Sequence, residues 1–370
     1  MEIEARRCSR CVMDKKVAGI RFDQLGECNY CKIHDGFDAE YQIGSSGLNR
    51  LLDEMRRTRR RYDCVVAASG GCDSSFLLHV LAEHRIRPLV VHFDNGWNSS
   101  IAAKNLEKMV SELGFDTEYV KANYDLYNDI NRSCMQASIP EIDGSTDTAM
   151  VTVMLRVAEK HDIKYICDAH SFRTEGITPP DWFYFDGKYI ASISGIRRHD
   201  DFPNLWLIDW MNHLVFHPSK RVRPLYYVDY VKEDAKKMLN ELYGWEWYGA
   251  RHMDNKWTAF CSNYWLPKKF GIDLRLVEYS ALVRSGQMTR ENALSKLAEP
   301  ILFDLSIVDL VKKELRLTDG EFNRIMAKPN KSSKDYETYK ATFRKMRLFF
   351  WLMLKMDRIP RSFYLKYCVM

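Results

Sequence analysis

Residues 64–75 read Cys64-Val65-Val66-Ala67-Ala68-Ser69-Gly70-Gly71-Cys72-Asp73-Ser74-Ser75. The first five make a short apolar run of the length expected for a buried strand. The last seven are small and polar. Beyond them Phe76, Leu77, Val80 and Leu81 recur on one face of a helix. Strand, glycine-bearing loop and helix, in that order, make an anion site. Glycines let the backbone approach a phosphate closely, and amides and hydroxyls wrap it at the helix N-terminus, where the dipole favours negative charge. The candidate nucleotide ligands are Ser69, Gly70, Gly71, Asp73, Ser74 and Ser75, with Asp73 placed to hold Mg2+ against a pyrophosphate. No Gly-x-x-x-x-Gly-Lys-Ser/Thr is present at this loop, so it is not the common P-loop of NTPases.

The flanking sequence fits a sheet around this unit. Upstream, Leu48, Leu51, Leu52 and Met55 have helical spacing, and the basic run Arg56, Arg57, Arg59, Arg60 and Arg61 reads as that helix's last turn rather than as a nucleic-acid patch. Downstream, Pro88–Phe93 is a second apolar strand and Thr117–Val120 a third, separated by a helix over Ile101–Leu113 that Gly114 stops. A helix over Thr148–His161 then leads to a strand at Lys164–Cys167. Alternating strands and helices predict an α/β fold with a doubly wound parallel sheet. Such sheets bind ligands at the carboxyl ends of their strands. His92, Phe93 and Asp94 leave the second strand there and are candidates for the adenine side of a nucleotide site. Asp168-Ala169-His170-Ser171-Phe172-Arg173-Thr174-Glu175-Gly176 leaves a later strand at the same edge, and Gly144–Thr148 precedes a helix there. Residues 202–270 are aromatic-rich and irregular, and the chain reads mostly helical from Asp273, with Thr289 as an N-cap and Pro300 as a stop.

Residues 1–35 hold four of the ten cysteines. Cys8-Ser9-Arg10-Cys11 and Cys28-Asn29-Tyr30-Cys31 are two C-x2-C knuckles with sixteen residues between them. This spacing predicts one tetrahedral Zn2+ held by Cys8, Cys11, Cys28 and Cys31; four protein ligands leave no open position, so the site is structural. The expected organisation is a zinc ribbon over 1–40, a nucleotide domain over 41–225 and an aromatic-rich, helical region over 226–370.

Composition excludes other classes. The chain is 370 residues long, 46% hydrophobic and 28% charged, which excludes a mainly disordered or low-complexity protein. A formal charge of +5 spread over this length does not point to nucleic acid. The longest apolar run, Leu348–Leu354, is seven residues, whereas a membrane span needs about twenty. With no signal-peptide pattern at the start, the expected location is cytoplasmic.

The heptad Ser69–Ser75 resembles the loop of the PP-loop ATP-pyrophosphatase superfamily, which splits ATP to AMP and pyrophosphate. Further stretches narrow the likeness: Tyr243-Gly244-Trp245, Arg251-His252, Leu266–Asp273 and Ser285-Gly286-Gln287-Met288-Thr289-Arg290. With the cysteine knuckles, they resemble the N-acetyl sugar amidotransferases of bacterial LPS O-antigen and flagellar-glycan biosynthesis, from about residue 6 to about residue 300. The resemblance implies conversion of an acetamido group on a nucleotide-activated sugar to an acetamidino group. ATP would adenylate the amide oxygen and ammonia would displace AMP. It also implies separate glutaminase subunits like those of imidazole glycerol phosphate synthase. Consistent with this, residue 2 is Glu rather than Cys, and none of the ten histidines has Glu two positions on. His170, Arg173 and Glu175 are candidates to orient the amide or shuttle protons beside Asp73. Asp147, Thr174, Gly176, Arg251 and His252 are candidates for substrate binding. The rival expectation is a tRNA-thiolating PP-loop enzyme, which would use Cys72, Cys134 or Cys167.

Overall fold

The computed structural model describes residues 7–44, 46–249 and 252–369. Five parallel strands lie in the order β3-β2-β1-β4-β5: β1 Cys64–Ala67, β2 Pro88–Asp94, β3 Thr117–Lys121, β4 Tyr165–Cys167 and β5 Lys220–Val222. Two strands follow β1 on one side and two on the other. The strand order therefore reverses between β1 and β4, where Val65 pairs with Ile166 and Val66 with Cys167. Loops leaving the carboxyl ends of β1 and β4 open into the crevice at that switch point.

Alternation along β1 divides the core in two. Val65 joins a cluster that includes Val91, Tyr127, Val153, Trp257, Phe260 and Phe350. Cys64 and Val66 join a cluster on the other face with Leu77, Leu81, Leu106, Leu239 and Trp245. Successive side chains of a strand point to opposite faces, so both faces are covered and the strands read as nearly continuous apolar runs. The C-terminal residues contribute to both clusters. The helix Lys232–Tyr243 packs against Cys72–Glu83 and Ser100–Leu113 on one face, and the helices Lys256–Phe260, Ser306–Glu314, Asp319–Ala327 and Arg347–Lys355 contribute to the cluster on the other. A third, smaller cluster joins the four knuckle cysteines and Met13 to Trp182 and Val277.

The stretch 202–270 is more ordered than its sequence pattern predicts. It contains the helices Leu207–Phe216 and Lys232–Tyr243, strand β5 and a π-helix over Cys261–Phe270. Strand β5 is three residues, Lys-Arg-Val, too short and polar to register as a strand by periodicity. The π-helix has a five-residue hydrogen-bond period and contains Pro267, so its apolar residues do not recur with α-helical spacing.

Candidate active site and cysteine centre

The β1 loop turns tightly because of one glycine. Gly70 has φ of 81°, and a Cβ there would lie 1.9 Å from the carbonyl oxygen of Ala102. Only glycine lets the loop lie this close to the helix Ser100–Leu113. The backbone then enters the helix Cys72–Glu83, with Gly71 at its N-cap. Ser69, Gly71, Asp73 and Ser74 face a cavity of about 1090 Å³, with Gly70 and the buried Ser75 behind them. Asp73 is held at both oxygens: Tyr230 Oη donates to Oδ1 at 2.8 Å, and Lys232 Nζ lies 3.1 Å from Oδ2. The amide of Cys72 donates to Tyr248 Oη at 3.2 Å, and that of Gly71 to Ser69 Oγ at 3.2 Å. Asp254 bonds the Ser69 hydroxyl, and burial pushes its carboxyl up.

Across the switch point, β4 delivers Asp168, Ala169, His170 and Glu175 to the same cavity. Asp168 pairs with Arg221 at 2.9 Å and with Arg223 at 3.2 Å, both brought by β5. Burial works against the Asp168 charge, but the two guanidiniums outweigh it and hold the carboxyl below its usual range. His170 is tied at both nitrogens, Nδ1 to Tyr226 Oη at 3.0 Å and Nε2 to the Gly176 carbonyl at 3.1 Å. A carbonyl only accepts, so Nε2 carries the proton and Nδ1 accepts from the phenol. Burial lowers the His170 pKa to about 4, which keeps the ring neutral at physiological pH. Glu175 Oε2 accepts from the Ser171 amide at 3.2 Å.

Several residues singled out by sequence stand behind this surface. Arg173 is buried and braces the N-terminal segment: it reaches Asp38 at 2.7 Å and donates to the carbonyls of Tyr226 at 2.6 Å and Tyr41 at 3.0 Å. Thr174 is fully buried. A Cβ on Gly176 would lie 2.6 Å from the Val277 carbonyl, so this glycine packs the loop against the helix Arg275–Arg284. His92 is buried between the Ala68 carbonyl at 2.9 Å and Asn98 at 3.1 Å. Phe93 is in the core, and Asp94 accepts from Tyr124 Oη and from the Gly96 amide. Asp147 is exposed in the first turn of Gly144–Lys160 and does not line the cavity. His252 lines it, with φ of 62°. Arg251 lies outside the described residues. Sequence reasoning did not single out Arg221, Arg223, Tyr230, Lys232 or Asp254. Their only local signal is polar residues among aromatics in a stretch without a motif.

The cavity's far wall is the helix Arg275–Arg284 and the turn after it, through Glu278, Tyr279, Leu282 and Gln287. The last residue of that helix touches the cysteines. Cys8, Cys11, Cys28 and Cys31 are fully buried; the Cys8–Cys31, Cys11–Cys28 and Cys28–Cys31 Sγ separations are 3.6 to 3.7 Å, and all four Sγ atoms lie within 4.8 Å of one another. Tetrahedral ligands at a Zn–S distance of about 2.3 Å sit about 3.8 Å apart, so the cluster suits an ion such as zinc. Arg284, also buried, donates to Cys11 Sγ at 3.2 Å and to Cys31 Sγ at 3.4 Å. Its positive charge offsets part of the excess negative charge that four thiolates bring to a divalent ion. Arg290 donates to the carbonyls of Cys8 at 3.1 Å and Cys11 at 3.2 Å. One helix thus joins the cysteine centre to the cavity wall.

Residues 254–349 match the family model described as LPS biosynthesis protein WbpG-like, C-terminal domain. An uncharacterized protein of Methanocaldococcus jannaschii is 25% identical over 126 residues, 33% of this chain and 46% of that one. A tRNA(Ile)-lysidine synthase of Chlamydia pneumoniae is 41% identical over 58 residues, 15% of this chain and 18% of that one. The chain thus spans less than half the length of these curated relatives. Among solved structures, an NH3-dependent NAD synthetase from Campylobacter jejuni aligns at a TM-score of 0.33 and 10% identity, over 82% of this chain and 98% of that one. An NMN synthetase from Francisella tularensis aligns at 0.30 and 12%, over 64% of this chain and 94% of that one. The loop at the centre of the sheet thus resembles that of the PP-loop ATP-pyrophosphatases, and residues 254–349 are similar to the C-terminal domain of the WbpG-like LPS biosynthesis proteins.

Proposed function

We propose that this chain is an AMP-forming amidotransferase that converts an acetamido group of a nucleotide-linked sugar, of the UDP-diacetamido type, to an acetamidino group. The observation that carries the reading is the shared cavity. The phosphate loop after β1, the polar loop after β4 and the helix Arg275–Arg284 line one space of about 1090 Å³. That is larger than a typical site for one small ligand, and suits ATP beside a second substrate.

The chemistry follows from the poor electrophilicity of an amide carbonyl. The amide oxygen attacks the α-phosphorus of ATP, and the bond to the β-phosphate breaks to release pyrophosphate. Ammonia adds to the activated carbon, the C–O bond breaks, AMP leaves, and loss of a proton gives the amidine. The protein's part is positioning and charge stabilisation. Ser69, Ser74 and the loop amides cradle phosphate, with the Tyr248 phenol yielding the Cys72 amide to it. Lys232 neutralises Asp73 until nucleotide binds, and then faces the phosphates. Asp73 would hold Mg2+, which supplies charge neutralisation of the pyrophosphate. Arg221 and Arg223, anchored by Asp168, hold positive charge across the crevice. His170, neutral and fixed at both nitrogens, forms the wall beside the amide, and Glu175 turns its carboxylate to it. The four cysteines would hold zinc away from the reaction. Ammonia comes from a separate glutaminase subunit.

A thiolating reaction fits less well. It needs a reactive thiolate near the loop, yet burial pushes the Cys72 thiol up to about 11 and the Cys134 thiol up to about 12. The test supplies ATP, ammonium and a diacetamido sugar nucleotide whose amide oxygens carry a heavy isotope. The expected products are pyrophosphate, the amidino sugar nucleotide and AMP carrying the label. ADP as the nucleotide product, or unlabelled AMP, rejects the reading.

A further inference from the structure

We propose that the exposed face of the helix Arg347–Lys355 docks on an anionic lipid surface. One side of this helix is built into the core: Phe350 and Met353 are buried, and Phe350 stacks on Trp210 with ring centroids 5.5 Å apart. The other side shows Leu348, Trp351, Leu352 and Met356, which are 71%, 41%, 46% and 54% exposed. Their spacing of three, four and eight residues from Leu348 puts them on one face. Exposed cations surround them: Arg344 and Lys345 before the helix, then Arg347 and Lys355 on it. Lys355 Nζ lies 5.6 Å from the Trp351 ring centroid.

The charge balance sharpens the case. Residues 340–370 contain eight Lys or Arg and one acid, Asp357, so this end carries +7 while the rest of the chain carries −2. Asp357 itself is paired with Lys220. Attraction to a negative surface therefore acts strongly at this end and helps to orient the molecule. The apolar stripe is four residues on about 13 Å of helix, small beside the roughly 20 residues a side that a stable protein interface uses. It has the pattern of an interfacial helix, in which apolar groups and Trp enter the headgroup boundary while Lys and Arg stay level with the phosphates. Among the described residues no helix is long and apolar enough to cross a membrane, so the contact would be peripheral. It does not depend on the reaction assigned above.

The test is flotation of the intact chain with phosphatidylcholine vesicles, with and without phosphatidylglycerol. Binding is expected only when phosphatidylglycerol is present, and it should weaken with added salt. The pair Arg347→Gln and Lys355→Gln should lower partitioning about fivefold for each cation removed. The pair Trp351→Ser and Leu352→Ser should lower it at least as much, and both pairs should leave turnover without vesicles unchanged. Equal binding to neutral vesicles, no binding, or variants that bind like the parent chain would each overturn the proposal. So would self-association lost in the same variants without vesicle binding, which would assign the face to a protein contact instead.

Discussion

The cysteine centre and the phosphate loop are both short polar motifs with fixed spacing, but their surroundings differ. The four cysteines are fully buried and face one another, closed over by the guanidinium of Arg284. The loop has its hydroxyls and Asp73 on a large cavity, and the partners of Asp73 and of the Cys72 amide come from more than 150 positions away. A closed ligand set has no position for a substrate, whereas an open one exchanges partners when a ligand enters. The comparison shows that spacing identifies what a motif can bind, and burial decides whether it can turn over. The two regions meet through the helix Arg275–Arg284, which carries Arg284 at one end and lines the cavity along its length.

The strongest way to break this contrast is to remove a cysteine. Cys11→Ser should cost on the order of 5 kcal/mol in a denaturant titration, because the bound ion's contribution to folding is lost. Chelation should act in the same direction. Arg284→Met should repeat the defect at about 3 kcal/mol, since it leaves buried thiolate charge without its cation. If either variant kept its stability but lost turnover, the cysteine centre would be chemical and the contrast would fail.

A mutation in the loop should do the reverse. Asp73→Asn should lower AMP formation by about 100-fold or more and leave the melting temperature within about 2 °C. Steady-state turnover and calorimetry on the same preparation separate the two effects. A large loss of stability with normal turnover would make Asp73 a packing residue.

The smallest effect concerns His170, which lines the cavity yet is tied like a core residue. Burial lowers its pKa from 6.5 to about 4. Between those values the unfolded chain binds a proton that the folded chain does not. Its contribution to stability is therefore complete above about pH 6.5 and is lost as the pH falls toward 4. An NMR titration should place the His170 midpoint near 4, and His170→Asn should flatten stability across that window. A midpoint near 6.5 would mean that the ring is solvated and available as a proton carrier.

Sequence alone determined the parts written in local patterns. The apolar runs at residues 64–68 and 88–93 became β1 and β2, Ser69–Ser75 became the loop between strand and helix, and two C-x2-C knuckles became one cluster. These follow from the two-residue period of a strand, the 3.6-residue period of a helix and the reach of a thiolate from a tight turn. The tertiary structure decided which polar groups share the cavity. Arg173 had the neighbours of a site residue but turned inward to Asp38, 135 positions away, while Lys232 reached Asp73 across 159. Arg284 meets Cys11 across 273 positions. No local period encodes such pairs. They form because burying a charge without a partner costs several kcal/mol, so the fold brings an opposite charge from wherever the chain passes.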